Sequence, residues 1–237
     1  YMKNVVFQSD MQLPINKIIC GDALEVIKTF PNKSVDLVVT DPPYGMKKGD
    51  WDKKPFFEIG KECSRVMKDN SAIYMFCGDN SYIQARQEIE KYFDFYTTII
   101  WTYDFIHGGG DYLLSHEYIL YAKKGKPIFN DIGRKRTGAQ NKRDYKEIAK
   151  EGTVWRCSWT NRSSERVGHP TQKPLEIIKK IILNSSKEND LILDPFLGSG
   201  TTAVAAKQLK RNFIGIEISP KYCKLAEDRL RQDLLPL

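Results

Sequence analysis

The chain has 237 residues, 37 of them basic and 30 acidic, for a net charge of +7. That length suits one domain with room for an insertion, able to bury a core without disulfides or metals. A hydrophobic content of 41%, with 11% aromatics, 16 Gly and 11 Pro, excludes collagen, coiled coil and disordered tail.

The charge is concentrated. Residues 121–150 carry ten basic side chains (Lys123, Lys124, Lys126, Arg134, Lys135, Arg136, Lys142, Arg143, Lys146 and Lys150) against three acids, while the other 207 residues hold 27 of each sign. Composition alone leaves two readings of this block open, a polyanion contact and a solvated loop. Five scattered cysteines without a Cys-x-x-Cys pair fit a reducing cytoplasm and speak against structural zinc. His107, His116 and His169 lack ligand spacing, so no metal is expected. No apolar run approaches the length of a membrane span and no charged-then-apolar leader is visible, so neither membrane nor export is expected.

Taking Met2 as the start, strand and helix signals alternate along the chain. Residues 15–20, 35–40, 72–77, 97–101 and 118–122 read as short buried strands, with helices at 56–68 and 81–93 between them. In the second helix Ile83, Ile89 and Phe93 are expected to share one face. The stretch from Gly125 to about Arg166 breaks the pattern with Lys, Arg, Gly, Asn and Ser, and reads as an inserted, loop-rich segment. Beyond it come helix 174–184, strand 191–193, helix 201–210, strand 213–216 and helix 220–231, the last with Ser219 as N-cap and Pro220 at its first position. Strands separated by helices imply a mainly parallel, doubly wound sheet covered on both faces, with ligands beyond the carboxyl ends of its strands.

Two of those strand ends carry unusual sequences. The first is Asp41-Pro42-Pro43-Tyr44. Two prolines stiffen the turn and remove two donors, leaving a carboxylate, a free carbonyl and an aromatic face together. A planar amino-heterocycle fits such a slot, its amino hydrogens on Asp41 and the Pro42 carbonyl and its ring on Tyr44. The second is Asp194-Pro195-Phe196-Leu197-Gly198-Ser199-Gly200-Thr201-Thr202-Ala203. Its glycines let a ligand approach the backbone at a helix start, and Glu217, ending the next strand, can accept from ribose hydroxyls. Alone, this turn does not separate a nicotinamide cofactor from another adenosine cofactor. Paired with the amino-ring slot, it suits methyl transfer better than hydride transfer.

These residues resemble the β class of the S-adenosylmethionine-dependent, amino-methylating DNA methyltransferases. That class places Asp-Pro-Pro-Tyr before Phe-x-Gly-x-Gly with a target-recognition segment between, the order seen here. His169-Pro170-Thr171-Gln172-Lys173-Pro174 resembles the family's cofactor motif ahead of a helix, and Gly21-Asp22 its acidic turn. The match covers nearly the whole chain outside the basic insertion. It implies a Rossmann-like, doubly wound, seven-stranded mixed sheet of the α/β class, circularly permuted, with a short inserted target-recognition segment. The implied divisions are a catalytic half over 2–122, the basic insertion over 123–166 and a cofactor-binding half over 167–237.

The resemblance places Asp22 at the cofactor's adenine and Glu217 at its ribose. Phe196, Gly198, Ser199, Gly200, Thr201 and Thr202 fall on the methionine side, Thr171 and Lys173 near its carboxylate, and Asp194 beside them. His169 reads as structural, beside Pro170, or as a direct contact. Asp41, Pro42, Pro43 and Tyr44 are the catalytic set, acting on the N6 of an adenine flipped out of DNA. In the basic segment Lys123, Lys124, Lys126, Arg134, Lys135, Arg136, Lys142, Arg143 and Lys146 are expected on phosphates, with Tyr145, Trp155 or Trp159 as a wedge and a base reader among Arg134, Arg136, Asn141 and Arg143. Gly49-Asp50-Trp51-Asp52 reads as a lid or a surface loop. The insertion is short for reading a long site unaided, which points to a homodimer or a very short target. The implied partners are DNA and, in a restriction setting, a cognate endonuclease. Cytosine N4 is the competing target. An RNA-modifying or protein-glutamine methyltransferase, a non-catalytic nucleic-acid-binding relative and a nicotinamide dehydrogenase fit less well, the last leaving Asp41–Tyr44 without a task.

Overall fold

The computed structural model of the chain describes residues 13–46, 52, 56–107, 111–130, 152–158 and 166–232. Their strands are β1 (Lys17–Cys20), β2 (Val35–Thr40), β3 (Met67–Cys77), β4 (Asp94–His107), β5 (Leu114–Lys124), β6 (Val154–Arg156), β7 (Leu191–Asp194) and β8 (Asn212–Glu217). The helices are α1 (Ala23–Lys28), α2 (Gly60–Val66), α3 (Tyr82–Glu90), α4 (Leu175–Ser185), α5 (Thr201–Gln208) and α6 (Pro220–Gln232). All eight strands form one sheet in the order β1-β8-β7-β2-β3-β5-β4-β6.

The central strands are apolar on both faces because helices cover both. Along β3, Ala72, Tyr74 and Phe76 enter one core while Ile73, Met75 and Cys77 enter the other, the period of two expected of a pleated strand. Strand β2 divides likewise, with Leu37 and Val39 on one side and Val38 on the other. Helix α4 supplies Ile177, Ile178, Ile181 and Ile182 to the first core, a spacing that makes one continuous stripe.

The run β1, β8, β7, β2, β3 is parallel throughout. Strand β5 is antiparallel to both β3 and β4, so the sheet is mixed, and its count is eight rather than the expected seven. The extra strand, β6, lies within the expected insertion. It pairs Val154, Trp155 and Arg156 with Ile100, Trp101 and Thr102 and so satisfies the outer edge of β4. The Trp101 indole fixes the junction by donating to the Cys157 carbonyl at 2.9 Å.

Other elements depart from the sequence reading in length. The expected helix 56–68 is α2 alone, because β3 starts at Met67. Strands β4 and β5 run well past 97–101 and 118–122, and β5 ends at Lys124, beyond the expected division at 122. The short α1 was not anticipated; Asp22 caps it by accepting from the Glu25 amide at 3.1 Å. On α3 the expected shared face fails. Ile89 is fully buried and Phe93 nearly so, but Ile83 is 71% exposed, since six residues along a helix turn a side chain away by well over a quarter circle.

That asymmetry is measurable in urea. Ile89→Ala should cost about 2–5 kcal/mol of unfolding free energy, the range for deleting a buried aliphatic side chain. Ile83→Ala should stay within about 0.5 kcal/mol of the parent. Equal losses at the two positions would contradict the placement of α3.

Candidate functional site

A cavity of about 530 Å³ opens at the carboxyl ends of the parallel strands. Strand pairing builds it. β2 lies beside β7, with Val38 opposite Leu193, so Asp41, just past β2, and Asp194, ending β7, become neighbours across some 150 residues of chain. β8 ends beside β1 with Glu217 opposite Cys20, which brings Glu217 next to Gly21-Asp22. Of the residues anticipated from the sequence, Asp22, Asp41, Pro43, Thr171, Lys173, Asp194, Phe196, Gly198, Ser199, Thr201, Thr202 and Glu217 line this cavity. Pro42, Tyr44 and Gly200 are not part of its wall.

On the β2 side the chemistry centres on Asp41. The Tyr44 hydroxyl donates to Asp41 Oδ1 at 2.5 Å, and the Lys173 ammonium lies 2.8 Å from Asp41 Oδ2. Lys173 also reaches Glu117 Oε2 at 3.3 Å. Its charge therefore serves two carboxylates while the residue also lines the cavity beside Thr171. Burial disfavours the Lys173 ammonium, but Asp41 and Glu117 outweigh it and raise its pKa above the ordinary lysine value. Burial pushes the Glu117 carboxyl up against the pull of Lys173, and pushes the Tyr44 phenol up further beside Asp41. The turn itself is braced. The Phe56 amide donates to the Pro43 carbonyl at 2.9 Å, and the Gly45 amide donates to buried Asp52 at 2.7 Å. Gly45 has φ +77°, a left-handed conformation that suits glycine. Tyr44 packs over Gly78, where an added Cβ would sit 3.4 Å from the ring.

On the β7 side the glycine turn is held from three directions. Glu217 accepts from the Gly198 amide at 2.9 Å and from the Ser219 amide at 2.8 Å, so this acid shapes the turn as well as facing the cavity. Arg229, buried on α6, donates to Thr201 Oγ1 at 2.8 Å and to the Ser199 carbonyl at 3.3 Å. Gly200, at φ +81°, is the N-cap of α5, and a Cβ there would come within 2.8 Å of Ala226 Cβ. His169 covers Gly198, packs edge-on to Tyr222 and accepts from the Thr171 amide at its Nδ1. Burial lowers its pKa to about 4, so the ring is neutral at pH 7. Asp194 accepts from the Phe196 amide at 3.1 Å, and burial raises its pKa to about 7.

The residues fit an adenosine-bearing cofactor in kind. The cavity has the size of a small-molecule site. Asp22, Asp194 and Glu217 line it together with Gly198 and Ser199 of the turn ahead of α5, and Phe196 adds an aromatic side chain. Thr40, at the end of β2, is 1% exposed and lines the cavity, and its hydroxyl has no partner among the described residues. Such a group calls for a polar ligand atom.

The basic residues divide. Lys123 and Lys124 close β5 at the end of the strands opposite the cavity, since Lys124 pairs with Ser71 at the start of the apolar part of β3 while the cavity adjoins Phe76. Lys124 donates to the Ser64 and Met67 carbonyls, and the Lys123 ammonium sits 3.4 Å above the Tyr96 ring. Both side chains, expected on phosphates, thus have contacts within the fold. Lys126 follows in the turn that starts at Gly125, its amide on Asn70. Trp155 is no wedge: it is 3% exposed, its indole donates to the Gly152 carbonyl, and Lys180 covers its ring. Arg134, Lys135, Arg136, Asn141, Lys142, Arg143, Tyr145, Lys146 and Trp159 lie outside the described residues, as do Gly49, Asp50 and Trp51.

Residues of the site without a place in the sequence reading include Thr40, Asp52 as a brace, Glu117 and Arg229. Glu117 had a signal of sorts, an acid inside the otherwise uncharged run from Tyr112 to Ala122. Arg229 had none, being one of several charges on an amphipathic helix.

The DNA methylase family model matches residues 35–228. The chain is 36% identical to the type II methyltransferase M.HinfI of Haemophilus influenzae, over 92% of this chain and 69% of the relative. It is 34% identical to the DNA adenine methyltransferase YhdJ of Escherichia coli K12, over 90% and 82%. Among solved structures, the M1.HpyAVI complex with S-adenosylmethionine superposes with a TM-score of 0.67 at 30% identity, covering 90% of this chain and 99% of that one. The match spans both the Asp41 turn and the Gly198–Gly200 turn, and the chain therefore belongs to the amino-methylating DNA methylase family.

Proposed function

We propose that the chain transfers the methyl group of S-adenosylmethionine to the exocyclic N6 of an adenine in DNA. The observation that carries this reading is the neighbouring of two strand ends: Asp41, just past β2, and Gly198 and Ser199, in the turn after β7, line the same cavity. The cofactor, when bound, supplies a methyl group on a positively charged sulfur. Asp22 and Glu217 would hold its adenosine, and Phe196, Gly198, Ser199, Gly200, Thr201, Thr202 and Asp194 its methionine portion, with Thr171 at the carboxylate. The amino lone pair of adenine is delocalised into the ring. Hydrogen bonds from the amino group to Asp41 and to the Pro42 carbonyl localise it and aim it at the methyl group, so the protein acts by positioning and electrostatics. A base inside a duplex cannot reach Asp41, so it is flipped and its ring taken by Tyr44.

YhdJ, a relative named for adenine methylation, supports adenine over cytosine, as does Asp at the head of the turn. The motif order, with Asp41 early and Gly198 late, supports the permuted arrangement. The segment within 123–166 is the candidate DNA reader through Arg134, Lys135, Arg136, Lys142, Arg143 and Lys146. A second copy of the chain, a companion endonuclease of the kind restriction systems use, and a cytoplasmic site belong to the same reading. Among the described residues no helix is long and apolar enough to cross a membrane.

Asp41→Ala should lower methyl transfer at least about a hundredfold, the scale of removing one oriented hydrogen-bond partner from a transition state. Binding of S-adenosylmethionine should stay within a few-fold. Near-normal turnover of that variant would refute the role of Asp41. Replacing Arg134, Lys135 and Arg136 together with Gln should reduce the slope of log affinity for DNA against log salt by about 1 for each phosphate that these side chains neutralise. An unchanged slope would remove these three residues from the interface.

A further inference from the structure

Glu117 stands outside the cavity wall yet belongs to its charge balance. It enters from β5, the antiparallel strand beside β3, with a side chain only 12% exposed, and it meets Lys173 at 3.3 Å while Lys173 meets Asp41 at 2.8 Å. The arrangement is a row: a hidden acid, a buried ammonium, and the acid that faces the substrate space. A lysine on one anion keeps its four-carbon stem free to swing, whereas two anions fix the ammonium between them. Each carboxylate oxygen of Asp41 has a single donor in this row, Tyr44 on Oδ1 and Lys173 on Oδ2, so lone pairs remain for an incoming amino group.

Resting on the methyl-transfer reading above, we propose that Glu117 is a positioning residue for that reaction, holding the Lys173 ammonium against Asp41 so that Asp41 meets the target amino group as an oriented carboxylate. The other titratable groups facing the row are Tyr44 from the turn, Cys77 at the end of β3, Tyr103 on β4, His169 ahead of Lys173, and Asp194 at the end of β7. The phenols and the thiol are pushed above their ordinary values, His169 is neutral and burial raises Asp194 to about 7, which leaves Lys173 as the cation of the row between Asp41 and Glu117. Those two acids hold the proton on a lysine whose burial opposes it. Removing one must lower the pKa of Lys173, and with a neutral Lys173 the hold on Asp41 is lost at a lower pH.

The test is the pH profile of methyl transfer to DNA by the parent chain, Glu117→Gln and Glu117→Asp. Glu117→Gln should lower kcat by about tenfold or more, within the range expected of a misplaced catalytic group. KM for DNA and the Kd for S-adenosylmethionine should stay within about twofold, since Glu117 does not line the cavity. The alkaline limb should move down by about one pH unit or more, the scale of losing one neighbouring opposite charge. In Glu117→Asp the carboxylate is kept but recedes by one methylene, so kcat should fall while the alkaline limb stays close to the parent's. A Glu117→Gln profile that superimposes on the parent's in kcat and alkaline limb overturns the proposal, as does a loss confined to KM. Should Glu117→Gln fail to fold, Glu117→Asp decides, and a kcat equal to the parent's overturns it. If the parent itself transfers no methyl group, the methyl-transfer reading has failed. The pKa of Lys173, read by NMR in parent and variant, then still decides whether Glu117 holds it: a fall in Glu117→Gln supports the hold and an unchanged value refutes it.

Discussion

The parallel pairing of β2 with β7 is the constraint on which the site depends. Neither strand end makes a site alone. Asp41 without the glycine turn is a braced acid on a proline corner, and the glycine turn without Asp41 is a helix start beside a cavity. Register brings them together, with Leu37 beside Ile192 and Val38 beside Leu193, so that both chains leave the sheet at the same level. The two cores on either face lock that register, because a one-residue slip of β2 would send Leu37 and Val39 to the wrong side.

Around this pairing the protein places its polar groups at considerable desolvation cost. Lys173, Glu117, Asp194, Arg229 and Glu217 are largely or wholly buried, and each is offset by specific partners. Of these, Lys173 forms ion pairs with Asp41 and Glu117, and removing one member of a buried ion pair costs about 3–5 kcal/mol. The consequence is rigidity where the chemistry needs it. Arg229 ties α6 to the start of α5, Glu217 ties β8 to the glycine turn, and Lys173 ties the loop ahead of α4 to the end of β2. Three elements far apart in sequence thus converge on one cavity through single side chains.

What the sequence made legible follows from how local each signal is. Asp41–Tyr44, Asp194–Thr202 and His169–Pro174 are compact, their residue types dictated by backbone shape and cofactor chemistry, and all three come to the cavity. The central strands were also readable, since burial on both faces leaves uninterrupted apolar runs. Glu117 and Arg229 were not, because their importance lies in what they touch across 56 and 28 residues of chain respectively. β6 escaped because three residues in a polar stretch become a strand only by completing the edge of β4. Lys123 and Lys124 misled for the opposite reason. They count toward a basic block in sequence, yet the direction of β5 carries them to the end of the strands opposite the cavity.

The most direct test of the central claim is to incubate the protein with DNA and methyl-labelled S-adenosylmethionine, digest the DNA to nucleosides and identify the labelled one. A site with Asp41 at the lip of a cofactor cavity, acting on adenine, predicts label in N6-methyladenine. Label in N4-methylcytosine would contradict the choice of base, and DNA without label would contradict the claim that this cavity and Asp41 form a methyl-transfer site.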